Sequence, residues 1–144
     1  MDILIHTDGG ARGNPGPAAC AFVIIQNDQV IHEANFYLGN KTNNVAEYQG
    51  LLMALEWALE SHLNFSSLQI NMDSLLVVNQ VKGIFKVKET TLKKLYLEVI
   101  DKLKELRQRK IRITLNHIYR EDNSTADKLV NQCLDEQSAR ETVS

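Results

Sequence analysis

The chain has 144 residues, 44% of them hydrophobic and 24% charged, with a formal net charge of −2. That length suits one domain with a full core, residues 1–144, and the composition is ordinary for a soluble globular protein. No apolar run approaches the length of a membrane span and the first residues lack a signal-peptide pattern, so no membrane partner and a cytoplasmic location are expected. Cys20 and Cys133 stand alone rather than in a CxxC pair and read as reduced, small core residues. The net charge argues against a purely electrostatic nucleic-acid binder. A polynucleotide partner would have to be held by local basic patches or through bound metal.

Residues 2–8 form an apolar strand, expected to be central in its sheet and to stop at Asp8. Thr7-Asp8-Gly9-Gly10-Ala11-Arg12-Gly13-Asn14-Pro15-Gly16-Pro17 then reads as a loop, because glycine permits tight turns and close approach of backbone to a ligand. Residues 18–26 and 30–38 read as two more strands joined by a turn at Asn27-Asp28-Gln29, which gives a three-stranded antiparallel meander. A helix follows from about 41 to 62, with Leu51, Leu52, Leu55, Ala58 and Leu59 at helical spacing. Residues 68–72 form a short strand ending at Asp73, and 74–81 a short helix closed by Gly83. Residues 91–108 form a second long helix with Leu92, Leu95, Val99, Leu103 and Leu106 on one stripe. Residues 111–117 alternate as a strand, and 124–137 form a last helix before a polar tail, 138–144, expected to fray. The order βββαβααβα predicts an α/β fold: a mixed five-stranded sheet, three antiparallel strands then two parallel ones, flanked by helices.

Four carboxylates stand at chemically suggestive places. Asp8 ends a buried strand, where a carboxylate needs a partner or pays a large desolvation cost. Glu47 lies in the first turn of a helix among apolar neighbours, Asp73 follows a strand, and Asp127 opens the last helix. Three of them have plainer readings: Asn44-x-x-Glu47 and Ser124-x-x-Asp127 resemble capping boxes, and Asp73 could be a helix N-cap. Taken together, a right-handed crossover makes the strands bearing Asp8 and Asp73 parallel, and the first turns of the helices bearing Glu47 and Asp127 can face the same edge. Four converging acids with no matching cations would repel and shift their pKa values. Hard divalent cations relieve this, and an all-oxygen set favours Mg²⁺ or Mn²⁺. Two such ions about 4 Å apart form the clamp used for in-line displacement at phosphorus.

Across roughly residues 2–135 the chain resembles a type 1 ribonuclease H. The likeness is carried by TDGGARGNPGP, KTNNVAEYQGLLMALE, INMDS and HIYREDNSTADKL, in that order and spacing. It is similar to the compact form, with no hybrid-binding extension before Met1 and only residues 81–92 where other members carry a long, basic, tryptophan-containing protrusion. The resemblance implies cleavage of the RNA strand of RNA/DNA hybrids to 5′-phosphate and 3′-hydroxyl ends by two Mg²⁺ ions. Asp8 would bridge both ions, Asp127 help hold the one that activates water, and Glu47 and Asp73 hold the other. The backbone of Gly9, Gly10, Ala11, Arg12 and Gly13, with the side chains of Asn43 and Asn44, would meet the RNA. Asn14 and Thr42 would lie near a DNA-phosphate pocket, and Lys86 and Lys88 could meet the DNA strand or simply form a solvated face. His117, ten residues before Asp127, matches the position of a mobile family histidine. It also continues the alternation of Ile111, Ile113 and Leu115, which would make it a packed strand-end residue, and Arg120 could instead supply charge near the phosphate. Alternatives in other classes are a same-fold nuclease acting on other RNA and a catalytically silent hybrid-binding module. A monomer is expected, since no strong apolar surface stripe is visible.

Overall fold

The computed structural model describes residues 1–143. Five strands, β1 (Asp2–Ala11), β2 (Gly16–Gln26), β3 (Gln29–Lys41), β4 (Ser67–Met72) and β5 (Arg112–His117), form one sheet in the order β3-β2-β1-β4-β5. Four helices accompany it: α1 (Asn43–Glu60), α2 (Leu75–Val81), α3 (Thr90–Gln108) and α4 (Ser124–Val143), the last preceded by a 3₁₀ turn at Arg120–Asn123. Among the described residues no helix is long and apolar enough to cross a membrane.

The two faces of the sheet are divided by strand alternation. Ile3 and Ile5 of β1, Phe22 and Ile24 of β2, and Leu68, Ile70 and Met72 of β4 meet α1 and α3 in the main core. The predicted stripe of α3 is buried as expected, from Leu92 through Leu95, Val99 and Leu103 to Leu106. On the other face Ala19 and Ala21 meet Val130, Cys133 and Leu134 of α4 in a smaller cluster.

Strands β2 and β3 run two to three residues beyond the sequence reading, from Gly16 and to Lys41, and two further boundaries differ with more consequence. β1 does not stop at Asp8: Gly9, Gly10 and Ala11 pair with Cys20, Ala19 and Ala18, and the Arg12 amide donates to the Pro17 carbonyl at 2.9 Å. The loop therefore shrinks to residues 12–15, with Gly13 at φ +92°. Glycine's weak strand propensity is outweighed by pairing to an apolar, buried partner strand. The polar stretch expected to fray from residue 138 continues as helix to Val143, with Gln137 and Glu141 bonded side chain to side chain at i,i+4 and Thr142 Oγ1 donating to the Ser138 carbonyl. Ser144 lies outside the described residues.

The closest helix–sheet approach is made where side chains are missing. A Cβ on Gly9 would collide with the Ala46 carbonyl and the Glu47 amide, and one on Gly50 would lie 2.8 Å from the Asp8 carbonyl oxygen. Both clashes are with backbone, which cannot swing aside. Gly9→Ala should therefore cost at least ~3 kcal/mol of stability, the upper end for overpacking, or prevent folding. Urea denaturation measures this; a variant within ~1 kcal/mol of the parent would show that α1 can lift off β1.

Candidate active site

Register brings the first two acids together. The parallel ladders end at Thr7↔Met72 and Met72↔His117, so Asp8 and Asp73 are each the next residue beyond the same rung. Asp73 is not a cap, because Ser74 takes that role: its hydroxyl accepts from the Val77 amide at 3.2 Å. Glu47 is not part of a capping box either. Thr42 caps α1, accepting from Val45, while Glu47 Oε1 accepts from the Gly9 amide at 2.5 Å. Ser124 already has helical angles (φ −65°, ψ −32°), since the 3₁₀ turn runs straight into α4.

One carboxylate oxygen from each of Asp8, Glu47 and Asp73 lies within 4.8 Å of the others, with Asp8 and Glu47 buried. Asp127 stands outside that tight group but lines the same cleft of about 470 Å³, together with Gly10, Asn43, Ser74 and Arg120. Among the described residues no Lys or Arg forms an ion pair with any of these four acids.

Burial, then the neighbouring Asp73 charge, and more weakly Asp127, push Asp8 up to about 7. Glu47 is raised well above the usual carboxylate range by burial and by the charges of Asp8 and Asp73. A hydrogen bond between the two carboxyls lowers one and raises the other, as it must if Glu47 carries the shared proton. Hard oxygen ligands, buried together and unpaired, fit a divalent cation.

The remaining predicted residues fall at several places. Thr42, Asn43 and Asn14 are knit together at the start of α1: Asn43 Oδ1 accepts from the Ala11 amide at 3.2 Å, and the Asn43 amide donates to Asn14 Oδ1 at 3.0 Å. Asn44 follows, half-buried. Gly9, Gly10, Ala11 and Arg12 line the cleft, and Gly13 turns the loop beyond it. Lys86 and Lys88 lie in the α2–α3 connection around a separate hollow of about 360 Å³, shared with Phe85 and Lys93. That connection is held by Gln80, which takes the Tyr48 hydroxyl and donates to the Lys86 carbonyl. His117 is exposed, in edge-on contact with the Tyr119 ring at 6.2 Å, rather than packed. It is absent from the cleft lining, where Arg120 stands instead.

Sequence reasoning missed Asn123. Fully buried, it donates to the Thr7 carbonyl at 2.8 Å and pairs with His6 Nδ1 at 3.1 Å, tying the start of α4 to β1 beside Asp8. It lies inside HIYREDNSTADKL, and an asparagine just ahead of a helix was the available signal.

This sheet order with its helices is the ribonuclease H-like α/β fold. A family model described as Reverse transcriptase-like matches residues 6–133. A solved LC11-RNase H1, in complex with RNA/DNA hybrid, is 41% identical at TM-score 0.84, covering 94% of this chain and 98% of that one. RNase H1 from Halobacterium salinarum NRC-1 is 31% identical at TM-score 0.84, covering 94% and 99%. In sequence, Ribonuclease HI of Halobacterium salinarum is 33% identical over 91% of this chain and 63% of its own length. The Bifunctional protein Rv2228c of Mycobacterium tuberculosis is 39% identical over 94% of this chain but 36% of its own length, so the chain spans about a third of that relative. The chain belongs to the ribonuclease H family, in its compact type 1 form.

The raised Asp8 pKa carries a stability consequence with a definite sign. Folding holds a proton on Asp8 between its ordinary pKa of 3.8 and about 7, so this stabilisation is present at low pH and lost as pH rises through that window. Asp8→Asn should leave the metal-free stability nearly unchanged at pH 4 and raise it at pH 8 by roughly 2–4 kcal/mol, at ~1.4 kcal/mol per pK unit, with a correspondingly higher melting temperature. Calorimetry at both pH values checks it; a variant no more stable at pH 8 would mean the acids do not repel.

Proposed function

We propose that this protein is a Mg²⁺-dependent endonuclease that hydrolyses the RNA strand of RNA/DNA hybrids, leaving 5′-phosphate and 3′-hydroxyl ends. The observation that carries the reading is the meeting of Asp8, Glu47 and Asp73, without an ion-paired Lys or Arg, in a cleft also lined by the half-buried Gly10 and Ala11. It acts as a cytoplasmic monomer in this reading, with Mn²⁺ as a possible substitute metal.

Asp8, close to both Glu47 and Asp73, would hold both ions, with Asp127 completing one ligand set and Glu47 and Asp73 the other. When bound, the ions supply the Lewis acidity that activates water and stabilises the leaving oxyanion. The chain's own residues orient the substrate. Asn43 both donates and accepts and so suits a 2′-hydroxyl, and backbone groups of Gly10 to Gly13 can approach the RNA where no side chain intervenes. Asn14 and Thr42 are the candidates for a DNA-strand phosphate, with Lys86 and Lys88 further along that strand. Recognising 2′-hydroxyls on one strand and phosphates on the other selects a hybrid over DNA/DNA.

Labelled hybrid, RNA/RNA, DNA/DNA and single strands incubated with Mg²⁺ test the proposal. Cleavage of the hybrid's RNA strand alone, abolished by EDTA, is expected. Cleavage of the other RNAs would favour the broader nuclease, and hybrid bound but uncut would favour the silent module. Asp8→Asn should lose more than ~10-fold of activity, since a tenfold loss is only ~1.4 kcal/mol. His117→Ala, changing an exposed residue outside the cleft lining, should lower kcat by no more than ~100-fold and leave the pH–rate profile intact. Loss of a limb near pH ~6.5 would instead make it a proton-transfer residue.

A further inference from the structure

The cleft does not end at the carboxylates. It continues over Gly10 and Ala11 to a face of α4 that carries Val130, Asn131 and Leu134. On this helix Asp127, Asn131 and Asp135 follow one another at four-residue steps along one stripe, and eight residues of helix span about 12 Å. Arg12, from the loop after β1, reaches across to that stripe. Its Nη2 lies 2.6 Å from Asp135 Oδ1 and 3.5 Å from Asn131 Oδ1. Asn131 is itself oriented, because its Nδ2 donates to the Asp127 carbonyl at 3.1 Å and so turns its oxygen toward the guanidinium.

Asp135 does not line the cleft, whereas Arg12 and Asn131 do. The pair is also open to solvent, with side chains 44% and 69% exposed. An ion pair so exposed contributes only ~0–1 kcal/mol. A guanidinium binds phosphate at least as well as carboxylate, with the same two-pronged geometry. The Arg12–Asp135 bond is therefore one that an incoming phosphate can take over.

We propose that the Arg12–Asn131 end of the cleft is a subsite for a backbone phosphate of the strand being cut, and that Asp135 is the internal anion holding Arg12 until that phosphate displaces it. The subsite rests on the hybrid-cleavage reading and deepens it. Arg12 donates to a phosphate oxygen, Asn131 Oδ1 continues to steer the guanidinium, and the freed Asp135 carboxylate turns to solvent and gathers a cation. Asp135 thus makes substrate binding weaker and less salt-dependent than the cleft alone would allow, because the cation it gathers offsets one released by the polynucleotide.

Fluorescence anisotropy with a short hybrid, in Ca²⁺ and with the hybrid checked to remain uncut, tests this. Asp135→Asn should lower Kd about three- to fivefold near 50 mM salt, matching the loss of a pair of at most ~1 kcal/mol. It should also steepen the slope of log Kd against log salt by about one. In an Arg12→Gln background the same substitution should bring no gain. Equal tightening without Arg12, or none with it, would overturn the subsite, as would weaker binding with a lower melting temperature, which would assign the pair to holding the loop against α4. Wild-type cleavage is followed alongside: if the parent binds and cuts the hybrid while Asp135→Asn binds no tighter, the subsite fails alone. If the parent neither binds nor cuts it, the cleavage reading fails and takes the subsite with it.

Discussion

The contact on which the site depends is the one between β1 and the first turn of α1. With no side chain at Gly9, the helix backbone at Ala46 comes down onto the strand, and the Gly9 amide donates to Glu47 Oε1 at 2.5 Å. One turn further along, Gly50 lets the helix pass over the Asp8 carbonyl. Any Cβ in this seam would push Glu47 away from Asp8. The glycines are thus required first by packing, and a backbone bare enough to meet a ligand follows from the same close approach.

Given that seam, the other acids arrive by ordinary structural means. Parallel pairing of β1 with β4 puts Asp73 level with Asp8, and Asn123 fastens the head of α4 to the Thr7 carbonyl so that Asp127 opens onto the same cleft. The cost is electrostatic. Burial and mutual repulsion hold Asp8 and Glu47 protonated well above the usual carboxylate range. A core of Ile5, Tyr48, Leu51, Leu55 and Ile70 is what keeps them together against that repulsion. Stability is given up at a point where a cation can restore it.

Much of this was legible in the sequence, for identifiable reasons. Helical periodicity marked α3 because it buries a single stripe, and marked α1 only through Leu51, Leu52, Leu55 and Ala58, since its first turns are buried on several sides; the acids stood out because each followed or opened an apolar element. The extension of β1 through Gly9, Gly10 and Ala11 was not legible, since glycine carries no strand signal and the pairing partner lies across a hairpin. Whether Glu47 and Asp73 were caps could not be read either. Thr42 and Ser74 cap these helices instead, bonding the Val45 and Val77 amides, and only geometry separates the choices. His117 shows a limit of alternation: the pattern that half-buries Ile113 and Leu115 against the core fails at the open end of an edge strand. Arg12 and Asp135, 123 residues apart, have no local pattern to link them.

The central claim is that Asp8 sits among uncompensated acids whose charge a divalent cation must balance. The most direct measurement is a pH titration of the Asp8 side-chain carboxyl carbon by NMR, with and without Mg²⁺. The account predicts a midpoint about 7 in the metal-free protein. With saturating Mg²⁺ that midpoint should fall below ~5, because an adjacent positive charge favours the carboxylate. A midpoint near the ordinary 3.8 without metal, unmoved by Mg²⁺, would contradict it.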